Sequence, residues 1–106
     1  MAADRVALAA ILDGQGRYAE SEPLYRAALR VLRRSPEAGA HDLAVALHDL
    51  GSMYVLRGRV ERGRRLLEEA AAIKRRVLGA GHPSLEVTLH NLEVAAWRRE
   101  ARDIGS

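Results

Sequence analysis

The chain has no cysteine and no phenylalanine, and it has three prolines among its 106 residues. Without cysteine it can form neither a disulfide framework nor a thiolate metal site, which fits a reducing compartment, so we expect a cytoplasmic protein. Aromatic residues make up 4% of the chain and apolar residues 48%, so the core must consist mainly of leucine, valine and alanine. This composition favours helices over strands.

Long hydrophobic runs are also missing. The apolar runs are too short to span a bilayer, and the N-terminal residues do not form a recognisable export signal, so we expect no membrane partner. Lysine is nearly absent, because Lys74 is the single exception among 17 basic residues. This preference for arginine is typical of GC-rich bacterial genomes. The net charge of +3 raises the question of nucleic acid, but 14 acidic residues are mixed among the basic ones, which favours a solvated helical exterior.

The sequence repeats with a period of 42 residues. The segment GRYAESEPLYRAALRVLRR at 16–34 corresponds to GRVERGRRLLEEAAAIKRR at 58–76, and DLAVALHDL at 42–50 corresponds to SLEVTLHNL at 84–92. A fixed period of this length is typical of solenoids, in which each repeat is one supersecondary unit that stacks on the next.

Within one period the apolar residues form two helical stripes. Leu43, Leu47, Leu50 and Tyr54 share one face of a helix that Gly58 ends. No segment alternates as a strand does. The sequence predicts an all-α fold with five helices, which span about residues 2–13, 17–34, 42–56, 60–77 and 83–101.

Small residues recur where neighbouring helices are expected to cross closely. Ala9 and Gly51 share one slot on the first helix of each hairpin, and Ser21 and Gly63 share one slot on the second. A larger side chain at such a crossing would overpack it and lower the free energy of unfolding by about 1 to 3 kcal/mol.

The two terminal helices depart from this pattern. Glu93 takes the slot of Gly51, and Arg5 takes the slot of Leu47. Charged residues in these slots predict polar end surfaces, as in the capping elements of a solenoid. We therefore expect a self-contained unit of two and a half repeats.

The pattern resembles the tetratricopeptide repeat, in particular the 42-residue variety of kinesin light chains. The residues that carry the resemblance are LAAILDGQGRYAESEPLYRAAL at 8–29 and LGAGHPSLEVTLHNL at 78–92. At residues 40–41 Ala-His replaces the His-Pro of that family, which leaves this helix start less rigid. The resemblance implies a right-handed helical-hairpin solenoid in a single domain, residues 1–106. Repeat one covers about 1–41, repeat two about 42–82, and a capping helix about 83–102.

The resemblance also implies a concave surface, lined by the first helix of each hairpin, that binds a protein or peptide. The paired asparagines that hold a bound peptide in kinesin light chain-like repeats correspond here to His48-Asp49 and His90-Asn91. An asparagine amide can donate and accept, whereas Asp49 only accepts and favours a donor or a basic residue. Local hydrogen bonds are the alternative role for Asn91. The candidate partner-binding residues are His48, Asp49, Ser52, Val55, His90, Asn91, Val94 and Trp97, beside Ala3, Val6, Ala10, Val45 and Val87.

Trp97 is the single tryptophan and lies among arginines. Two roles are open for it, as a shield over the last apolar stripe or as an interface anchor. Shielding is the preferred interpretation.

Catalytic patterns are weak throughout the chain. The pairs His41-Asp42 and His48-Asp49 suggest metal ligands, but no third ligand converges on them. A cysteine nucleophile and a glycine-rich phosphate loop are both missing. We expect no enzymatic activity, no metal, no cofactor and no small-molecule substrate.

The sequence thus predicts a scaffold or adaptor that binds a protein or peptide segment on its concave face. Two alternatives remain open. One is end-to-end self-association into a homo-oligomer, and the less favoured one is nucleic-acid binding through the arginines.

Overall fold

The fold consists of five helices joined by short turns. The computed structural model describes residues 2–37 and 39–105, apart from the side chain of Ala3. No strand occurs in this part of the chain, which confirms the all-α prediction. Over the same residues, no helix combines the length and apolar character needed to cross a membrane. The helices are α1 (Ala2–Gly14), α2 (Tyr18–Leu32), α3 (Ala40–Leu56), α4 (Val60–Leu78) and α5 (Pro83–Gly105).

The predicted helix ends are close to the observed ones, and three of them differ by two residues or more. Helix α2 ends at Leu32 rather than at 34, and α3 begins at Ala40 rather than at 42. No proline fixes the start of α3, so its first turn begins directly after Gly39. Helix α5 continues past 101 to Gly105 because residues 102–104 include neither proline nor glycine to end it.

The turns inside the two hairpins have the same geometry. Gly16 and Gly58 adopt φ of 77° and 86°, a left-handed conformation that favours glycine. After each of them, the backbone N–H of Arg17 or Arg59 donates to the carbonyl five residues earlier, at 2.9 and 2.8 Å. The φ and ψ angles of these arginines are −89° and 65°, and −89° and 64°. Residues 42 apart therefore share their local structure, as the period predicts.

The helices form two layers. The backbone of α3 directly approaches those of α1 and α5, while α2 packs on α1 and α3, and α4 packs on α3 and α5. Within the described residues, the backbones of α2 and α4 do not come equally close. A stack that is close in one layer and open in the other curves toward the close layer. We call the side formed by α1, α3 and α5 the inner surface.

Helix α3 lies at the centre of the core, because it is the helix with neighbours on both sides in both layers. Its residues Leu47, Leu50, Met53 and Tyr54 are at most 2% exposed. The Tyr54 hydroxyl also accepts from the Arg26 guanidinium at 2.9 Å, which connects α3 to the preceding hairpin.

Helices α3 and α4 cross at two glycines. A Cβ atom added to Gly63 would lie 2.5 Å from the carbonyl oxygen of Gly51, and one added to Gly51 would lie 2.9 Å from that of Gly63. Ala9 and Ser21, which occupy the same slots one repeat earlier, are fully buried. The prediction of close crossings at small residues is confirmed.

Ion pairs join the outer layer across the repeat boundary. Arg33 follows α2 and lies 3.1 Å from Glu69 on α4, and Arg76 on α4 lies 3.1 Å from Glu37. These side chains are exposed, so each pair contributes at most about 1 kcal/mol.

The end surfaces are less polar than predicted. Arg5 and Glu93 are exposed, in agreement with the prediction. However, Leu8 and Ile11 on α1 are 49% and 59% exposed, although their counterparts one repeat later lie in the core. The prediction of a polar surface is therefore wrong for α1. Self-association through this surface stays a prediction.

Candidate partner-binding surface

One stripe of α3 faces the inner surface. Asp42, Val45, Asp49, Ser52 and Val55 follow one another at helical spacing, opposite the leucines that α3 contributes to the core. These five side chains line two neighbouring cavities, one toward α1 and the other toward α5.

The first cavity lies between α1 and α3 and has a volume of about 230 Å³. Its walls are mostly small and apolar, and its polar groups are two carboxylates from α3. The lining residues are Val6, Ala7, Ala10, Asp42, Val45 and Asp49.

The second cavity lies between α3 and α5 and has a volume of about 140 Å³. It brings together four of the residues that the sequence singled out as partner-binding, from two different helices. The lining residues are Ser52, Val55, Leu56, Asn91 and Val94.

A row of hydrogen bonds runs from α4 to this second cavity, and we call it the polar chain. Lys74 Nζ donates to Thr88 Oγ1 at 2.8 Å, and His48 Nδ1 lies 2.8 Å from the same oxygen. Asn91 Nδ2 lies 3.5 Å from His48 Nε2 and donates to Ser52 Oγ at 2.8 Å. Three helices therefore hold the Asn91 amide in one orientation.

The partners in the polar chain fix its protons. Because the Asn91 amide nitrogen donates, His48 Nε2 is an acceptor and Nδ1 carries the proton that goes to Thr88. The Thr88 hydroxyl in turn donates to the Ser84 carbonyl at 3.4 Å, and Lys74 donates to that carbonyl at 3.2 Å. The N–H groups of Asn91 are thus used inside the protein, and within the part of the chain that the structure describes we find no hydrogen bond to its carbonyl oxygen.

His48 is neutral at physiological pH. Burial lowers its pKa to about 4, and the nearby charge of Lys74 acts in the same direction. Burial also lowers the pKa of Lys74, against the opposing effect of Asp49. His48 is consequently a fixed hydrogen-bonding group at neutral pH.

Asp49 is a poorly satisfied carboxylate. Burial and, to a smaller extent, the charge of Asp13 raise its pKa to about 6, against the opposing effect of Lys74. Within residues 2–37 and 39–105 we find no hydrogen bond or ion pair to this carboxylate. Its ionised form therefore lowers the free energy of unfolding of the free protein.

Replacing Asp49 by asparagine is expected to raise the free energy of unfolding at pH 7 by about 1 to 2 kcal/mol, a value reduced for partial exposure. The pKa of Asp49 is about 6 in the folded protein against 3.8 for the free side chain, so the folded state binds this proton more tightly. The parent therefore loses stability from this group as the pH rises from about 4 to 6, whereas Asp49→Asn does not.

Urea unfolding of both proteins between pH 4 and pH 7 measures this difference. His48 changes the free energy of unfolding with pH in the opposite direction. Because His48 is present in both proteins, its contribution cancels when their free energies of unfolding are subtracted. If the two stabilities run parallel across this range, Asp49 is not desolvated in the folded state.

Three other sequence-predicted residues, His90, Trp97 and Val87, do not line either cavity. His90 is exposed, and Trp97 is 67% exposed, so Trp97 does not shield the last apolar stripe and that interpretation is wrong. Val87 is 53% exposed, and the side chain of Ala3 lies outside those described.

Lys74 and Thr88 are the site residues that sequence reasoning missed. Lys74 is 7% exposed and Thr88 is fully buried. A signal for both was present, because Lys74 occupies the repeat slot of Leu32, and Thr88 the slot of Ala46. Polar residues in two apolar slots indicate a shared hydrogen bond.

Comparisons with known proteins agree with this architecture. A family model described as tetratricopeptide repeat, of the kinesin light chain-like type, matches residues 2–62, which is more than half of the chain. A second model with the same description matches residues 43–84. No curated protein and no solved structure matches the chain.

Proposed function

The chain belongs to the tetratricopeptide repeat family, and from this premise we propose that it is a non-catalytic scaffold whose inner surface binds an extended segment of a partner protein. Repeats of this family mediate protein–protein interactions. Bound segments of this kind combine pockets for side chains with hydrogen bonds to the peptide backbone.

The observation that carries this proposal is the composition of the second cavity. Ser52 and Val55 from α3 meet Asn91 and Val94 from α5 around one apolar depression. The polar chain fixes Asn91 beside this depression, so its carbonyl oxygen can accept from a backbone N–H without reorganisation. The first cavity, next along α3, offers a place for a second side chain of the same segment.

The variant Val94→Glu tests this proposal. The parent is first used to select binders from a displayed library of random dodecapeptides, and the best binder is synthesised with a fluorescent label. We expect dissociation constants of about 1 to 100 µM for the parent. Val94→Glu should weaken binding about tenfold or more, since a carboxylate in the second cavity must be desolvated when the peptide enters. Fluorescence anisotropy measures both affinities.

A matched control is Val77→Glu, which makes the same change on α4, in the outer layer, where Val77 is 48% exposed. It should bind as the parent does. Equal weakening by the two variants, or unchanged binding by Val94→Glu with retained helical circular dichroism, contradicts the assignment of the surface. Failure to select any peptide contradicts the proposed function itself.

A further inference from the structure

The charges of the protein are unevenly divided between its layers. The inner helices α1, α3 and α5 carry eight acidic residues and four arginines, a net charge of −4, in a chain whose total is +3. The outer helices and the turns therefore hold a net charge of +7. On α3, the central inner helix, the acidic residues Asp42 and Asp49 face no lysine or arginine of the same helix.

The first cavity combines this charge with apolar walls. Val6, Ala10 and Val45 present apolar surface, and the carboxylates of Asp42 and Asp49 are the polar groups beside them. Lysine and arginine side chains have the matching form, with an aliphatic stem and a cationic head that donates hydrogen bonds. A cavity of about 230 Å³ has room for one such side chain.

The carbonyl oxygen of Asn91, beside the second cavity, can also accept a hydrogen bond from a donor on the partner. Both N–H bonds of the Asn91 amide are directed at Ser52 and His48, which leaves its carbonyl oxygen as an acceptor. Lys74 could supply a cation, but it is buried and donates to Thr88 and Ser84. A partner that brings donors and positive charge is therefore complementary to this stripe.

We propose that the inner surface selects a basic segment of its partner, and that one arginine or lysine side chain of this segment enters the first cavity to pair with Asp49 and Asp42. This inference rests on the proposed function and names the chemistry of the segment. The desolvated carboxylate of Asp49 destabilises the free protein. A bound cation would stabilise the ionised form of this carboxylate and so offset the loss of stability. The other charged or titratable groups whose fields reach Asp49 are Asp13 from α1, Tyr25 from α2 and Lys74 from α4.

The random dodecapeptide library provides the test. Peptides selected on the parent should share a lysine or arginine at one aligned position. In the best binder, glutamine at this position should weaken binding about tenfold, and Asp49→Asn should weaken the unmodified peptide by a similar factor. The glutamine peptide should bind the parent and Asp49→Asn equally, because the interaction that the carboxylate makes is then already missing.

Glu20→Gln on α2 is the matched control, because it changes the net charge by the same amount outside the inner surface. It should leave the affinity of the basic peptide unchanged, and an equal loss would mean that only total charge matters. Selected peptides without a shared basic residue, still weakened by Val94→Glu, would overturn this inference and leave the proposed function standing. If no peptide is selected, both fail. Since Asp49→Asn is expected to be more stable than the parent, unfolding cannot explain its loss of binding.

Discussion

Gly63→Val is expected to lower the free energy of unfolding by about 3 kcal/mol. An added Cβ would lie 2.5 Å from the Gly51 carbonyl oxygen, 2.6 Å from Val55 Cγ2 and 2.9 Å from the Val55 backbone nitrogen. Two of these atoms belong to the backbone and cannot rotate away, so α3 and α4 must move apart. Gly63→Ala should cost less, about 2 kcal/mol, because alanine has a smaller side chain and gains about 1 kcal/mol in helix propensity. Urea unfolding at pH 7 measures both values.

Gly14 supplies the control for this series. It lies at the end of α1, and a Cβ there would have nothing within 4 Å. Gly14→Ala and Gly14→Val should change the stability by less than about 1 kcal/mol. A Gly63→Val protein as stable as the parent would show that the two helices do not cross at the described distance. Because Val55 lines the second cavity, Gly63→Val should also weaken peptide binding.

Thr88→Val is expected to lower the free energy of unfolding by about 2 to 3 kcal/mol, although valine has nearly the shape of threonine. The substitution removes the oxygen that two nitrogens share. The Lys74 ammonium then keeps only the Ser84 carbonyl, and the His48 Nδ1–H has no acceptor left in the polar chain. Lys74 is 7% exposed, so water has little access to its ammonium group. Urea unfolding gives the loss, and thermal unfolding should show the same order of stability.

A second substitution separates the lost hydrogen bond from a change in packing. Lys74→Met removes the buried charge, so the double variant Lys74→Met/Thr88→Val should be more stable than Thr88→Val alone. The polar chain also orients Asn91, so Thr88→Val should weaken binding of the selected peptide while Val77→Glu does not. A double variant no more stable than Thr88→Val would show that the unpaired ammonium is not the cause of the loss.

The sequence was sufficient for the helices and their crossings. Local spacing of apolar residues, together with Gly16 and Gly58 at equivalent turns, determines where the helices lie, and small residues mark where they cross. The resemblance to the tetratricopeptide repeat, which implies that the first helix of each hairpin lines the concave side, also singled out four residues that line the second cavity, Ser52, Val55, Asn91 and Val94.

Equivalent sequence positions nevertheless acquire different surroundings, which a single period cannot reveal. His48 and His90 share one repeat slot, yet Thr88 from α5 packs on His48, whereas α5 has no helix beyond it within the described residues. His90 therefore stays exposed. Lys74 and Thr88 were missed for a related reason, because their hydrogen bonds join α3, α4 and α5 and depend on how the hairpins stack.

The two layers differ in what holds them together across the repeat boundary. The exposed pairs Arg33–Glu69 and Arg76–Glu37 join the first two hairpins in the outer layer, while the partly buried His48–Thr88 hydrogen bond joins α3 to α5 in the inner layer. Since exposed ion pairs cost little to break, we expect bending to change the distance between α2 and α4 more readily than the distance between α3 and α5. Such bending would widen the outer surface while the residues that line the second cavity keep their relative positions.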